Sequence, residues 1–418
     1  MKNIENVLND NSISKENKIK FLINNINLEK DIWNLLEYTG KIIRNEDYSK
    51  IKEYKKLLKI HKNLIKKLFL EKRKLKPISR NCLLNKKRKI KTNKKIEDFF
   101  LILKEPLNGE KGIIYLMFSD VIEDFPLVYD LNKIKDNYIL VLEPSWAGYQ
   151  SPYIYQYIGL DLDIVITCPY PRDYKFIRDL SVNFVPTRLG AGDWCNFKLF
   201  KNLNLKKKFD FVMIANFMQF KRIELIIKAL NKITHAKLIV IGRYGDKNKY
   251  YHEIKNLIKK LDLKKRVKLF KGGRKEVNNA LNKSKVNILF SKKEGANRGI
   301  YEGFFSNVPV IVYKNHQSIR KKDINKYTGI LSTEKDLVKN MKYMLKKYKK
   351  FKPLEWAIKN TGYKVSTEKL NLLLKRISKK WTKDIVYHVN APNIEYLNEK
   401  DKEFFSKFYK DLEKYKVN

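Results

Sequence analysis

Cysteine is scarce in this sequence. The three present, Cys82, Cys168 and Cys195, are odd in number and share neither metal nor disulfide spacing. That argues against a disulfide framework or a cysteine-rich metal module, and a reducing cytoplasm fits best. No apolar run approaches the roughly 20 residues that a membrane-spanning helix needs. The opening stretch MKNIENVLNDNSISKEN lacks the apolar core of a signal peptide. Neither a membrane span nor export by that route is expected, and the protein is placed in the cytoplasm. No internal repeat is visible. Acidic side chains are few beside basic ones, 45 against 90, which leaves a net charge of +45.

What is present is ample apolar material. At 418 residues and 43% hydrophobic content, the chain can build two core-bearing domains with extensions. The charge has two readings. Lysine, asparagine, isoleucine and tyrosine are abundant together, the composition that an AT-rich genome writes into any tolerant surface. The alternative is selected binding to an anionic partner. The excess is densest at residues 51–95, where 19 lysines and arginines meet two acids, Glu53 and Glu71. In YKKLLKIHKNLIKKLF, residues Tyr54, Leu57, Leu58, His61, Leu64, Ile65, Leu68 and Phe69 recur at helical spacing, opposite a lysine face. That face is either simply solvated or an arm for anionic lipid or a phosphate-bearing acceptor.

Residues 1–104 read as helical. From about 105, apolar runs (KGIIYLMFS, NYILVLEPS, LDIVITCPY, VNFVPT) read as buried strands, with DYKFIRDL as a helix between two of them. A clearer series begins near 208: FDFVMIAN, AKLIVIGR, RVKLFKG, KVNILFS and VPVIVY alternate with four helical segments. Such alternation of helices with doubly apolar strands implies parallel sheets covered on both faces. The expected fold is α/β, with two Rossmann-like domains facing across a cleft.

The stretch NILFSKKEGANRGIYEGFF carries the chemistry. In doubly wound sheets ligands bind beyond the carboxyl ends of strands. Here a strand ends near Ser291, a loop runs to Gly299, and a helix follows, so its first N–H groups would suit a diphosphate. Glu294 lies on the loop and Glu302 in the first helical turn, with seven residues between them. At 1.5 Å per residue, a fully helical offset would be about 12 Å. That exceeds the roughly 5 to 9.5 Å between carboxylates that flank one glycosidic bond. The pair suits two ends of one long ligand.

This E-x7-E pattern followed by NVPVIV resembles the retaining GT-B glycosyltransferases of family 4. The resemblance implies that Glu294 contacts a donor sugar and Glu302 the ribose of its nucleotide. That family also carries a glycine–arginine pair after the first donor-domain strand, with a lysine five residues beyond the arginine, both on the diphosphate. In IANFMQFKR, Lys221 matches the lysine and Asn216 stands where arginine is usual, so Arg222 or Arg298 would supply the missing charge. The backbone of Asn297, Arg298 and Gly299 would add amides, and KGGRKE, with Gly272, would lie by the base. VPTRLGAGDW looks like the family's inter-domain segment. The resemblance is good over roughly 182–350, and parts of the tail are also similar.

On this basis the chain divides into a basic helical region (1–104), an acceptor domain (105–203), a donor domain (204–350) and a helical return segment with tail (351–418). Trp146 and Tyr149 offer either a stacking platform for the acceptor sugar or core packing for their own loop. The five histidines, His61, His235, His252, His316 and His388, are expected at the surface or as caps, and Cys168 as a buried structural thiol. The D-x-D at Asp161 and Asp163 precedes its strand, where it cannot meet a metal on a diphosphate. The expected function is metal-independent transfer of a sugar from a nucleotide donor to a glycan or lipid-linked acceptor, with peripheral contact at the inner face of an anionic membrane. The alternatives are a basic nucleic-acid-binding protein, which would need a recognised motif that is absent, or a GT-B protein that has lost activity, as Asn216 suggests.

Overall fold

Between residues 100 and 187, five runs of branched and aromatic side chains are long enough for strands and too short for stable helices. In the computed structural model they form one sheet, in the order β1 (Phe100–Lys104), β2 (Gly112–Met117), β3 (Tyr138–Glu143), β4 (Ile164–Thr167) and β5 (Phe184–Thr187). The structure describes residues 4–28, 31–44, 48–70, 96, 100–144, 152–159, 163–180, 182–245, 248–292, 294, 297–317, 319–385, 403 and 407–417. Trp146, Tyr149, Cys82, His388 and residues 71–95 of the basic stretch lie outside these.

Strands β2 to β5 run parallel, whereas β1 lies antiparallel on β2 with Phe100 opposite Leu116. This corrects the helical reading of 1–104 at its end. All five residues of FLILK are buried, which a strand with both faces covered permits and a short surface helix does not.

Two compact units divide the chain. One comprises 1–189 with 371–387 and 391–418, and the other 190–370 with 388–390. In the first unit the helix Tyr54–Leu70 buries Tyr54, Leu57, His61, Ile65 and Leu68, as its spacing predicts, and exposes Lys55, Lys56, Lys59, Lys66 and Lys67. His61 is therefore core, not surface. Thr39 Oγ1 donates to the Leu35 carbonyl and sits 2.6 Å from His61 Nδ1, while His61 Nε2 lies 3.2 Å from the Tyr155 hydroxyl. The hydroxyl of Thr39 has one proton, so the imidazole donates from Nδ1 and accepts at Nε2. The end of the chain closes the same unit. Buried Glu110 pairs with Lys104 and accepts from the Thr382 N–H, and Tyr129 bridges Lys416.

The second unit holds six parallel strands: β6 (Phe209–Ile214), β7 (Leu238–Gly242), β8 (Val267–Lys271), β9 (Ser284–Leu289), β10 (Val310–Tyr313) and β11 (Gly329–Ser332). Alternation along each strand makes two cores. Phe211 and Met213 pack with Ile226, Leu230 and Ile254 on one side, and Val212 packs with Leu281, Phe304 and Val310 on the other. The sequence series stopped at β10. β11, GILS, is too short to show a period and is a strand because β10 supplies its partners. The spatial order is β11-β10-β9-β6-β7-β8, so the winding reverses between β6 and β9. Crevices for ligands form at such a reversal, beyond the carboxyl ends of the strands. The described strands of the first unit run in sequential order without one.

Burial, with the Arg44 charge adding, lowers the His61 imidazole to about 3 from 6.5. A depressed folded-state value means that its contribution is complete above pH 6.5 and lost as pH falls toward 3, at about 1.4 kcal/mol per pH unit. Urea titrations from pH 7 to pH 4 should show a shallower loss of stability for His61→Gln than for the wild type. Identical slopes would contradict this account.

Candidate active site

The segment after β6 must turn from strand to helix at the reversal point. Ala215 N–H donates to the Ile241 carbonyl, and Asn216 Oδ1 accepts from the Arg243 N–H at 3.0 Å, which ties the ends of β6 and β7 together. A Cβ on Gly242 would lie 1.9 Å from the Ala215 carbonyl oxygen, so this approach requires glycine. Asn216 is thus a structural brace at the position where an arginine was expected to meet phosphate. The chain then makes a 3-10 turn, Gln219–Lys221, and the helix Ile223–Asn231 begins after Arg222. Arg222 is left-handed, with φ 59°, a conformation that costs a side-chain-bearing residue about 1 kcal/mol. Its guanidinium is engaged by Glu334 at 2.5 Å and lies over the Tyr313 ring, 5.1 Å from the centroid.

Lys221 points the other way, to the loop after β9. Its Nζ is 2.7 Å from Glu294 Oε2, and the two side chains are 13% and 8% exposed. Ser291 Oγ donates to Glu294 Oε1, and Asn297 Nδ2 donates to Oε2 at 2.8 Å. Burial would raise the Glu294 carboxyl, but the Lys221 charge and these hydrogen bonds outweigh it and hold the carboxyl below its ordinary value.

The helix Gly299–Phe305 follows. Asn297 Oδ1 accepts from the Ile300 N–H, so that amide is already satisfied. With seven residues the helix has little dipole to offer. Arg298 sits at its start, its carbonyl accepts from the Glu302 N–H, and its guanidinium makes no hydrogen bond or ion pair with the described residues. Gly299 is buried, 3.2 Å in ideal Cβ distance from Ile214, and its carbonyl accepts from Asn287. Gly272 closes the turn after β8, and Glu276 Oε2 there accepts from the Gly273 N–H.

Glu302 is half-buried, and its carboxylate makes no hydrogen bond with the described residues. Burial pushes its carboxyl up to about 7, against the pull of Arg298 and Arg274. The helix that carries it is held rigidly by its neighbour Tyr301, whose hydroxyl donates to Asp323 at 2.6 Å. Arg320 joins Asp323 to buried Asp193 through two bonds of 2.7 Å to the Asp193 oxygens. Asp193 belongs to the GAGDW turn, where Gly192 leaves room for the Tyr301 ring.

The structure thus brings Lys221, Glu294 and Asn297 into contact, with Arg298, Gly299 and Glu302 on the adjoining helix. Asn216 and Arg222 are committed elsewhere. His316 is a correction to the surface expectation: it is 2% exposed, with Nε2 3.2 Å from Ser291 Oγ, behind Glu294. Spacing along the chain could not reveal it. The available signal was its position just past β10, the strand beside β9. His235 and His252 are exposed, as read. Cys168 and Cys195 are buried, and burial pushes both thiols well up, away from nucleophilic use. Asp163 pairs with Lys111 at 3.3 Å.

Residues 196–364 match the family model Glycosyl transferases group 1. This stretch is a glycosyl transferases group 1 domain. It contains Lys221, Glu294, Arg298 and Glu302, so the whole cluster lies inside the group 1 domain. No curated protein matches the chain in sequence. Among solved structures, sucrose-phosphate synthase from Thermosynechococcus elongatus is similar at a TM-score of 0.51 and 14% identity, covering 63% of this chain and 73% of that one. HepE of Anabaena, in complex with UDP and glucose, is similar at 0.49 and 13%, covering 63% and 77%. A glycosyltransferase from Rickettsia africae follows at 0.47 and 17%, covering 62% and 82%. With the group 1 domain and its companion both Rossmann-like, the fold is GT-B.

Because Glu302 is raised in the folded state, its contribution to stability is present below pH 4.5 and lost as pH rises through about 7. Glu302→Gln should therefore stabilise the ligand-free protein at pH 8 by about 1 to 3 kcal/mol and leave it nearly unchanged at pH 4.5. Melting curves at the two pH values decide this, and an equal shift at both would contradict it.

Proposed function

We propose that the protein transfers a sugar from a nucleoside diphosphate donor to an acceptor, with retention at the anomeric carbon. The observation that carries this reading is the buried Lys221–Glu294 pair, 2.7 Å apart, just past the carboxyl ends of β6 and β9 where the winding reverses. A buried ion pair is a weak source of stability, because desolvation offsets its attraction. Its place at a ligand crevice of a group 1 domain is better explained by chemistry.

In this reading the donor diphosphate draws the Lys221 ammonium from Glu294, and Glu294 is left to accept from hydroxyls of the sugar. Arg298 supplies the second cation, since Asn216 braces the β6–β7 turn and Arg222 is held by Glu334. Glu302 accepts from the ribose hydroxyls, and backbone near Gly272 meets the base. As the bond from the anomeric carbon to the diphosphate breaks, negative charge grows on the phosphate oxygens. Fixed cations then stabilise the transition state more than the bound donor. The reaction needs no metal on this account. The acceptor is a glycan or a lipid-linked intermediate, with Trp146 and Tyr149 on its side, and the enzyme acts in the cytoplasm at the membrane's inner face.

Lys221→Met should lower turnover with its nucleotide-sugar donor by about a hundredfold or more, the usual consequence of losing one preformed stabiliser of developing charge. It should also lower the melting temperature, because buried Glu294 loses its partner. The double variant Lys221→Met/Glu294→Gln should regain the melting temperature without the activity. Near-wild-type turnover in the single variant would remove the mechanism.

The exposed lysines of the Tyr54–Leu70 helix suit anionic lipid at about 1 kcal/mol each near a charged surface. Co-sedimentation with vesicles containing phosphatidylglycerol should fall steeply between 0.1 and 0.5 M salt. It should weaken when Lys55, Lys56, Lys59, Lys66 and Lys67 become glutamine. Binding indifferent to salt and lipid charge would exclude the membrane role.

A further inference from the structure

The Glu294 carboxylate is fixed from behind as well as by Lys221. Ser291 Oγ lies 2.5 Å from Glu294 Oε1, the separation of a charge-assisted O–H···O⁻ bond. A serine hydroxyl has one proton, and here it points at the carboxylate. Toward its second neighbour, His316 Nε2 at 3.2 Å, the oxygen offers lone pairs alone, so the imidazole must donate from Nε2. The backbone that carries the ring is in turn fixed: the His316 amide N–H donates to the Tyr313 carbonyl, and the Gln317 amide N–H to the Lys292 carbonyl at 2.9 Å, which joins the loops after β10 and β9.

We propose that His316, acting through Ser291, is a positioning residue that sets the plane of the Glu294 carboxylate for the donor sugar, an inference that rests on the glycosyl-transfer reading above. Oε2 receives Lys221 and Asn297, and Oε1 receives Ser291. When the diphosphate withdraws Lys221, Oε2 gains a lone pair for a sugar hydroxyl. The bonds from Ser291 and Asn297 must then keep the carboxylate from rotating. A serine hydroxyl without a donor at its back can swing to other acceptors, and His316 denies it that freedom. Glu294, Lys221 and Lys321 are the charged groups that act on the ring. Burial lowers His316 to about 4, so it stays neutral at neutral pH.

Two measurements on the full chain test this. With ring-15N-labelled histidine, and assignment by the signal missing from His316→Gln, the ring should be the Nε2–H tautomer. An Nδ1–H tautomer overturns the relay whether or not sugar is transferred. In steady-state assays His316→Phe should lower kcat on the order of tenfold to a hundredfold, with binding of bare nucleoside diphosphates unchanged. His316→Gln, whose side-chain N–H can reach Ser291, should recover most of kcat. Equal kcat for the Phe and Gln variants overturns the positioning role. A wild-type chain that transfers no sugar from any nucleotide donor, with the Nε2–H tautomer intact, sinks the functional reading and the positioning role together.

Discussion

A carboxylate buried as deeply as Glu294 must be compensated, and much of the second unit's architecture serves that requirement. Lys221 reaches it from β6, Ser291 from the end of its own strand β9, Asn297 from the start of the next helix, and His316 backs Ser291 from β10. Three neighbouring parallel strands thus converge on one charge at the point where the sheet reverses. Isolated, the group would be driven to neutrality by burial. Surrounded, it remains an anion in a low-dielectric crevice, where a bound polar ligand feels its charge strongly.

Glu302 shows the opposite treatment. Its half-buried carboxylate has no hydrogen-bond partner among the described residues, and burial raises it to about 7. The helix under it is fastened by Tyr301, Asp323, Arg320 and Asp193, so it cannot relax to give Glu302 a partner. One carboxylate is satisfied and the other left wanting, eight positions apart in sequence. Natural proteins accept such local cost where a ligand supplies the missing contacts.

Much of this was legible in the chain. Parallel strands with both faces buried are nearly continuous apolar runs, so nine of them, β2 to β10, stood out, as did the loop that carries Glu294. β1 and β11 did not, because a short edge strand takes its identity from its partner. Lys221 was singled out by its match to the family's lysine, five residues beyond Asn216. Its link to Glu294 was not, since a contact between loops of β6 and β9 leaves no spacing in sequence. Asn216 was read as standing where the family's arginine is usual, and Arg222 as one of two candidates for the missing charge. The groups that hold them in this structure, the Arg243 amide and Glu334, lie far along the chain. His61 and His316 look polar in sequence, and each is buried because hydroxyl groups wait for both ring nitrogens of one and Nε2 of the other.

The division of the chain has a consequence for the order of its synthesis. The second unit is essentially contiguous from Gly190 to Leu370, and its ends are stitched together where Ser366 Oγ donates to the Asp193 carbonyl and Tyr363 N–H to that of Cys195. The first unit must wait for residues 382–416: β1 receives the Tyr409 hydroxyl at Phe100, Glu110 collects Thr382, and Tyr129 bridges Lys416. On a ribosome the later-encoded unit has all its residues first. The earlier one stays an open sheet with an unfinished edge until residues 382–416 have been made, a reversal of the usual N-to-C order.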